Sequence, residues 1–127
     1  MNEVLVHHLF VVNARINTPP TDEKFIIEWK KDLVNKIGMK ILRGPIAVYS
    51  DMPGNAGLTA VTIIETSHIA LHIWDEVKPA ILRLDVYSCA EFNIDDILNS
   101  IKQFGVESLD YKFLDRTGDS IQEVIPI

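Results

Sequence analysis

Glu65-Thr66-Ser67-His68-Ile69-Ala70-Leu71-His72-Ile73-Trp74-Asp75-Glu76 begins where the apolar run Leu58 to Ile64 ends, and it joins a serine hydroxyl, two imidazoles and flanking acids. If Ser67 to Trp74 is extended, successive side chains point to opposite faces. His68, Ala70, His72 and Trp74 then share one face, and Ser67, Ile69, Leu71 and Ile73 share the other. A sheet face meant only for a core does not carry that many polar groups. The simplest reading is a half-buried strand with hydrogen-bonded histidines, but two imidazoles and a serine together ask for more.

Outward from this strand the chain alternates regular elements with clear breaks. Upstream, Ser50 to Gly57 holds Asp, Pro, Gly and Asn and is a loop, and Met39 to Tyr49 is a strand region broken at Gly44-Pro45. Before it, Thr21-Asp22-Glu23-Lys24 is a helix entry, with Phe25, Ile26, Trp29, Leu33 and Ile37 as an apolar stripe and Gly38 as the stop. Glu28, Lys31, Asp32 and Lys36 are left for water, and no chemistry is expected of this helix. Val4 to Val12 is an opening strand, and Asn17-Thr18-Pro19-Pro20 a loop. Downstream, Val77-Lys78-Pro79 is a turn and Ala80 to Cys89 a further strand. Asn93 caps a second helix striped by Ile94, Ile97, Leu98, Ile101 and Phe104, which Gly105 ends. Leu109 to Leu114 is a last strand, and the tail from Thr117 is irregular, with an apolar Val124 to Ile127 able to pair at an edge.

The order predicts one α+β domain over residues 1–127, a two-layer sandwich of a mainly antiparallel sheet with two helices on one face. The strands carry apolar residues on both sides, yet no helix remains for the second face. A second subunit stacked on it, a homodimer, is the economical answer.

Composition narrows the partners. The 127 residues carry a net charge of −6 with scattered basic residues, which argues against nucleic acid. Apolar runs are too short to cross a membrane, and Met1-Asn2-Glu3 does not open a signal peptide. One cysteine excludes an internal disulfide and suits a reducing cytoplasm. A metal site built on His68 and His72 has no local third ligand, so no metal is expected.

The stretch Ser67, His68, His72, Trp74, Glu76 resembles the self-processing segment of the prokaryotic-type S-adenosylmethionine decarboxylases, which reads approximately E-S-H-x-x-x-H-x-W-x-E. Asp85-Val86-Tyr87-Ser88-Cys89 matches a second signature of that family, D-V-[FY]-[ST]-C. Pro53-Gly54-Asn55-Ala56-Gly57-Leu58-Thr59 loosely matches its glycine-bounded approach to the serine. Together these motifs span roughly Val4 to Leu114 and are far more specific than any one of them. The resemblance also implies a dimer that stacks two such sheets.

It further implies autocatalytic cleavage at Thr66-Ser67 into a β fragment, 1–66, and an α fragment, 67–127. Ser67 becomes the pyruvoyl group, the cofactor that binds the substrate amine as a Schiff base and takes up the electrons released with carbon dioxide. His72 corresponds to the acid/base of processing, Thr59 to a hydroxyl residue that assists it, and Cys89 to the proton donor in turnover. Glu76 corresponds to the carboxylate that accepts from the ribose hydroxyls, with Trp74 and His68 also on the substrate side. The implied reaction is decarboxylation of S-adenosylmethionine for polyamine (spermidine) synthesis.

Several positions depart from the family pattern. Thr66 stands where glutamate is usual, Trp74-Asp75-Glu76 replaces W-P-E, Ala90 replaces glycine, and Thr59 replaces the commoner serine. An adenine-stacking aromatic is wanted near Pro53, where Met52 and Tyr49 are found. These departures leave open a decarboxylase of another amino acid such as arginine, or a non-cleaving homologue that binds a ligand or regulates a partner.

Overall fold

The computed structural model describes residues 5–125. Seven strands form one antiparallel sheet in the order β2-β3-β4-β5-β1-β6-β7. They run β1 His8–Ile16, β2 Ile41–Ser50, β3 Gly57–Ile64, β4 Ser67–Trp74, β5 Ala80–Ser88, β6 Val106–Asp115 and β7 Gln122–Val124. Helix α1 is Glu23–Lys36 and α2 is Ile94–Ile101, followed by a 3₁₀ turn at Lys102–Phe104. The α+β class holds, with both helices packed into one continuous core with the buried rows of the strands.

Alternation builds that core. Leu58, Ala60, Thr62 and Ile64 of β3, Ile69, Leu71 and Ile73 of β4, and Leu82, Leu84, Val86 and Ser88 of β5 are buried beneath the helices. Their neighbours in each strand face the other way, as a period of two requires. The second helix starts on the side chain read from the sequence, with Asn93 accepting from the Asp95 amide, and the first is capped within the expected entry by Asp22, which accepts from the Lys24 amide. Trp29 anchors helix to helix: its indole N–H donates to the Ser100 carbonyl at 2.9 Å, and its ring packs 5.3 Å from Phe104.

The opening strand lies further along than expected, at His8–Ile16 and not Val4 to Val12; Val4 lies outside the described residues. Asn13 and Arg15 interrupt the apolar run, but they occupy the open face while Ala14 and Ile16 stay in the core row. The polar pair hid the continuation. For the same reason β6 starts before the expected Leu109, at Val106. The tail pairs at the sheet edge through Gln122–Val124, with Pro126 and Ile127 outside the described residues.

The open face divides into two halves. On β2 and β3 it shows Ile46, Val48, Val61 and Ile63, each between 41% and 66% exposed. On β5 and β1 the residues between the buried rows include Arg83, Asp85, Asn13 and Arg15. Four apolar side chains grouped on one bare sheet surface form the kind of patch that marks an interaction site.

Gly57, at the start of β3, lies against the Ile73 backbone of β4. It sits at φ +151°, and a Cβ there would lie 1.7 Å from the Ile73 carbonyl oxygen. Gly57→Ala must therefore move backbone, and we expect a loss of about 3 kcal/mol. Urea unfolding should show a lower midpoint at unchanged slope.

Lys30 is the surprise in the core. It is 0% exposed on α1, and its ammonium donates to the Ile69 carbonyl at 2.6 Å, the Ala60 carbonyl at 3.0 Å and the Thr62 hydroxyl at 3.3 Å. Burial pushes its pKa down to about 7. The amphipathic stripe gave no hint of it, because a lysine beside Trp29 reads as solvated.

Candidate functional site

The expected site residues fall into two groups at opposite ends of β4. The first gathers at the Glu65-Thr66 turn between β3 and β4. Ser67, the first residue of β4, is the one non-glycine residue with positive φ among the described residues, at +148°. Such a backbone is costly for an L side chain and persists only when its surroundings hold it.

Those surroundings are specific. The Cys89 amide donates to the Thr66 carbonyl oxygen at 2.8 Å. The Ser88 hydroxyl donates to the Thr66 hydroxyl at 3.0 Å and itself accepts from the Ala90 amide at 3.0 Å. The Thr66 hydroxyl in turn lies 3.1 Å from the Met39 sulfur. Thr66, the residue that departs from the family pattern, is thus anchored on both its carbonyl and its side chain. Ser67 and Ser88 face each other across the β4–β5 ladder, which brings Cys89 beside the turn.

One rung further in, on the open face, His68 pairs with Tyr87 and meets it edge-on, with ring centroids 5.7 Å apart. Tyr87 also lies 3.3 Å through its hydroxyl from His7 Nδ1, and the Arg116 guanidinium lies over its ring at 5.1 Å. His8 turns to the helix side, where it packs edge-on against Phe113 and borders a cavity of about 580 Å³ with Phe92 and Asn93.

The second group is built at the far end of β4. Thr59 and His72 are cross-strand partners, with Thr59 Oγ1 3.2 Å from His72 Nδ1. Trp74 stacks on His72 with centroids 5.8 Å apart, and its indole N–H donates to Asn55 Oδ1 at 2.7 Å. Glu76 accepts from the Ala56 amide at 2.9 Å and the Gly54 amide at 3.1 Å. These two amides hold its carboxyl below the usual range. Tyr49 donates to Asp75 at 2.8 Å, which raises its phenol. The loop before β3 is therefore strapped down by the same residues that flank His72.

The structure does not bring the two groups together within one chain. Ser67 and His72 are five residues apart on a single strand, about 16 Å along its axis. Sequence reading found both groups, and an extended Ser67–Trp74 already implied their separation, but it gave no site role to Arg116, His7 or Asn55. The register across β5, β1 and β6 carries Arg116 and His7 to the Ser67 end, and Asn55 reaches Trp74 from the loop before β3.

A family profile described as S-adenosylmethionine decarboxylase matches residues 11–117. This chain belongs to that family. Among solved structures it is similar to the adenosylmethionine decarboxylase from Aquifex aeolicus VF5, at 20% identity and a TM-score of 0.65, over 88% of this chain and 90% of that one. At that identity the likeness speaks for the fold: an antiparallel sheet with helices, shared across nearly both whole chains. Family membership also makes the turn at Ser67 the place to look for pyruvoyl chemistry. Among the described residues no helix is long and apolar enough to cross a membrane, and no group of three or more His, Cys, Asp or Glu could hold a metal ion.

Proposed function

We propose that this chain cleaves itself between Thr66 and Ser67 and decarboxylates S-adenosylmethionine, through a site shared by two copies. The observation that carries the reading is the scissile turn: a serine at φ +148° following a carbonyl already held by the Cys89 amide at 2.8 Å.

Each group present fits a part of that chemistry. Ser67 Oγ attacks the Thr66 carbonyl carbon, and the Thr66–Ser67 amide becomes an ester. The Cys89 N–H is aimed at the oxygen that takes negative charge, so the bond strengthens as the tetrahedral intermediate forms. Strain at Ser67 is relieved as the chain parts, which lowers the barrier from the reactant side. Loss of the Ser67 α-proton then breaks its Cβ–O bond, freeing the Thr66 carboxylate, and water replaces the nitrogen, which leaves as ammonia. The resulting pyruvoyl carbonyl supplies the electron sink for decarboxylating an amino acid. The Cys89 thiol, one residue beyond the Ser67–Ser88 rung, is positioned to return a proton to the decarboxylated product.

His72 and Thr59 are too far along β4 to serve the Ser67 of their own chain. A second copy resolves this. With a two-fold axis lying between two stacked sheets and across their strands, the partner's His72 and Thr59 come over Ser67 and Cys89, and the reverse holds at the other end. Ala70, midway between the two ends, is the smallest side chain in that row of β4 and allows the closest approach where the axis would cross. The bare Ile46, Val48, Val61 and Ile63 supply apolar area for the contact. Trp74 and the Asn55 strap hold the imidazole ring flat, and Glu76 keeps lone pairs free for ribose hydroxyls.

The intact mass of freshly purified protein under denaturing conditions tests the cleavage. We expect two fragments, 1–66 and 67–127, the second carrying a pyruvoyl group in place of its serine. A single full-length mass that persists on incubation refutes self-processing, and leaves a ligand-binding homologue with the same fold.

A further inference from the structure

Arg116 has no assigned task, yet it is placed with care. One rung of the sheet runs Ser67–Ser88–His8–Asp115 across β4, β5, β1 and β6. Arg116 follows directly, its amide fixed on the His7 carbonyl at 2.7 Å. Its backbone is three strand spacings from Ser67, about 14 Å. Its side chain nevertheless reaches back across β1, so that the guanidinium sits 5.1 Å above the Tyr87 ring. Tyr87 is the neighbour of His68, and His68 adjoins Ser67.

The guanidinium makes no hydrogen bond or ion pair among the described residues. An arginine held over an aromatic ring, with its fork of donors unspent among the described residues, is preorganised for a planar anion. His7 and His68 flank the same ring, within reach of the same anion, and the nearest acid on that face of β5 is Asp85.

Resting on the decarboxylase reading, we infer that Arg116, stacked on Tyr87, recognises the α-carboxylate of the amino acid substrate. A substrate joined by its amine at the Ser67 position would carry its carboxylate two bonds from that nitrogen, and Tyr87 lies one rung from the Ser67–Ser88 pair. The contact would select acids over esters and amides. It would also be lost with carbon dioxide, so the product is held less tightly than the substrate.

Calorimetry on the Ser67→Ala chain, which cannot turn over, tests this with S-adenosylmethionine and its methyl ester. We expect the acid to bind at least about tenfold more tightly than the ester, the size of one charge-assisted contact. Adding Arg116→Gln should erase that preference and leave the ester affinity within about twofold, while Arg116→Lys should restore part of it. Binding of both ligands with no acid preference, or a preference that survives Arg116→Gln, overturns the carboxylate site alone. No binding of either ligand, with a wild-type chain that stays at full-length mass, overturns the decarboxylase reading and this site with it.

Discussion

Ser67→Ala and His72→Ala chains, each uncut when purified alone, should regain cleavage when expressed together. The first chain lacks the nucleophile but keeps an intact Thr59–His72 pair. The second keeps its nucleophile on a turn whose carbonyl is held by the Cys89 amide. In a mixed dimer the His72 of one chain serves the Ser67 of the other, and one of the two sites is whole. Random pairing makes roughly half the dimers mixed, so up to about a quarter of all chains should appear as fragments by intact mass. The cut chains should be the His72→Ala ones only, which the mass of the fragments identifies. The size of the effect follows from chemistry: removing the nucleophile or its acid/base partner leaves essentially no reaction. If the mixture stays uncut, the shared site is wrong; if His72→Ala alone is cut, the histidine is not the acid/base of processing.

Lys30→Met should remove a strong pH dependence of stability. The sign follows from the folded pKa of about 7 against an unfolded value near 10.4. Below about pH 7 both states carry the proton, and the fold bears the whole cost of burying an ammonium. Between about 7 and 10.4 the folded chain releases its proton while the unfolded chain keeps it, so stability rises with pH across that window. The rise amounts to about 4 kcal/mol, from a difference of about three pKa units. Three acceptors around Nζ match the three donors of the charged form and oppose this, so the gain is an upper value. Urea unfolding from pH 6 to 10 should show a wild-type slope that the methionine variant lacks, and the variant should be as stable or more so at pH 6. Equal slopes in the two proteins would mean that Lys30 stays charged throughout.

Both predictions turn on what the chain's pattern does and does not carry. The strands β3, β4 and β5 were legible because a strict period of two separates core residues from open-face residues, and the motif residues sit in the same frame. The Asn93 cap and the helix entry at Thr21 to Lys24 were legible because a helix start needs a side-chain acceptor near its first amides. β1 and β6 were misplaced by a few residues because Asn13, Arg15 and Ser108 break the apolar count without breaking the ladder.

Lys30 was illegible for a different reason. Its burial depends on three acceptors from β3 and β4 lying under one turn of α1, a coincidence of packing that helical periodicity does not encode. Arg116 was hidden likewise, since it reaches Tyr87 only because β1 lies between β5 and β6. Trp74 and Glu76 were read as candidate site residues, but their hold on Asn55, Gly54 and Ala56 was not foreseen.

By itself, then, the sequence determined the layer architecture, the family and the residue types at the Thr66-Ser67 turn, because periodicity, caps and motif spacing are local properties of the chain. The tertiary structure alone decided that Arg116 lies over the Tyr87 ring. It also decided that the Thr66 carbonyl meets the Cys89 amide, and that one face of the sheet is left bare. Those are distances between segments remote in sequence, fixed by strand order and register, and no local pattern contains them.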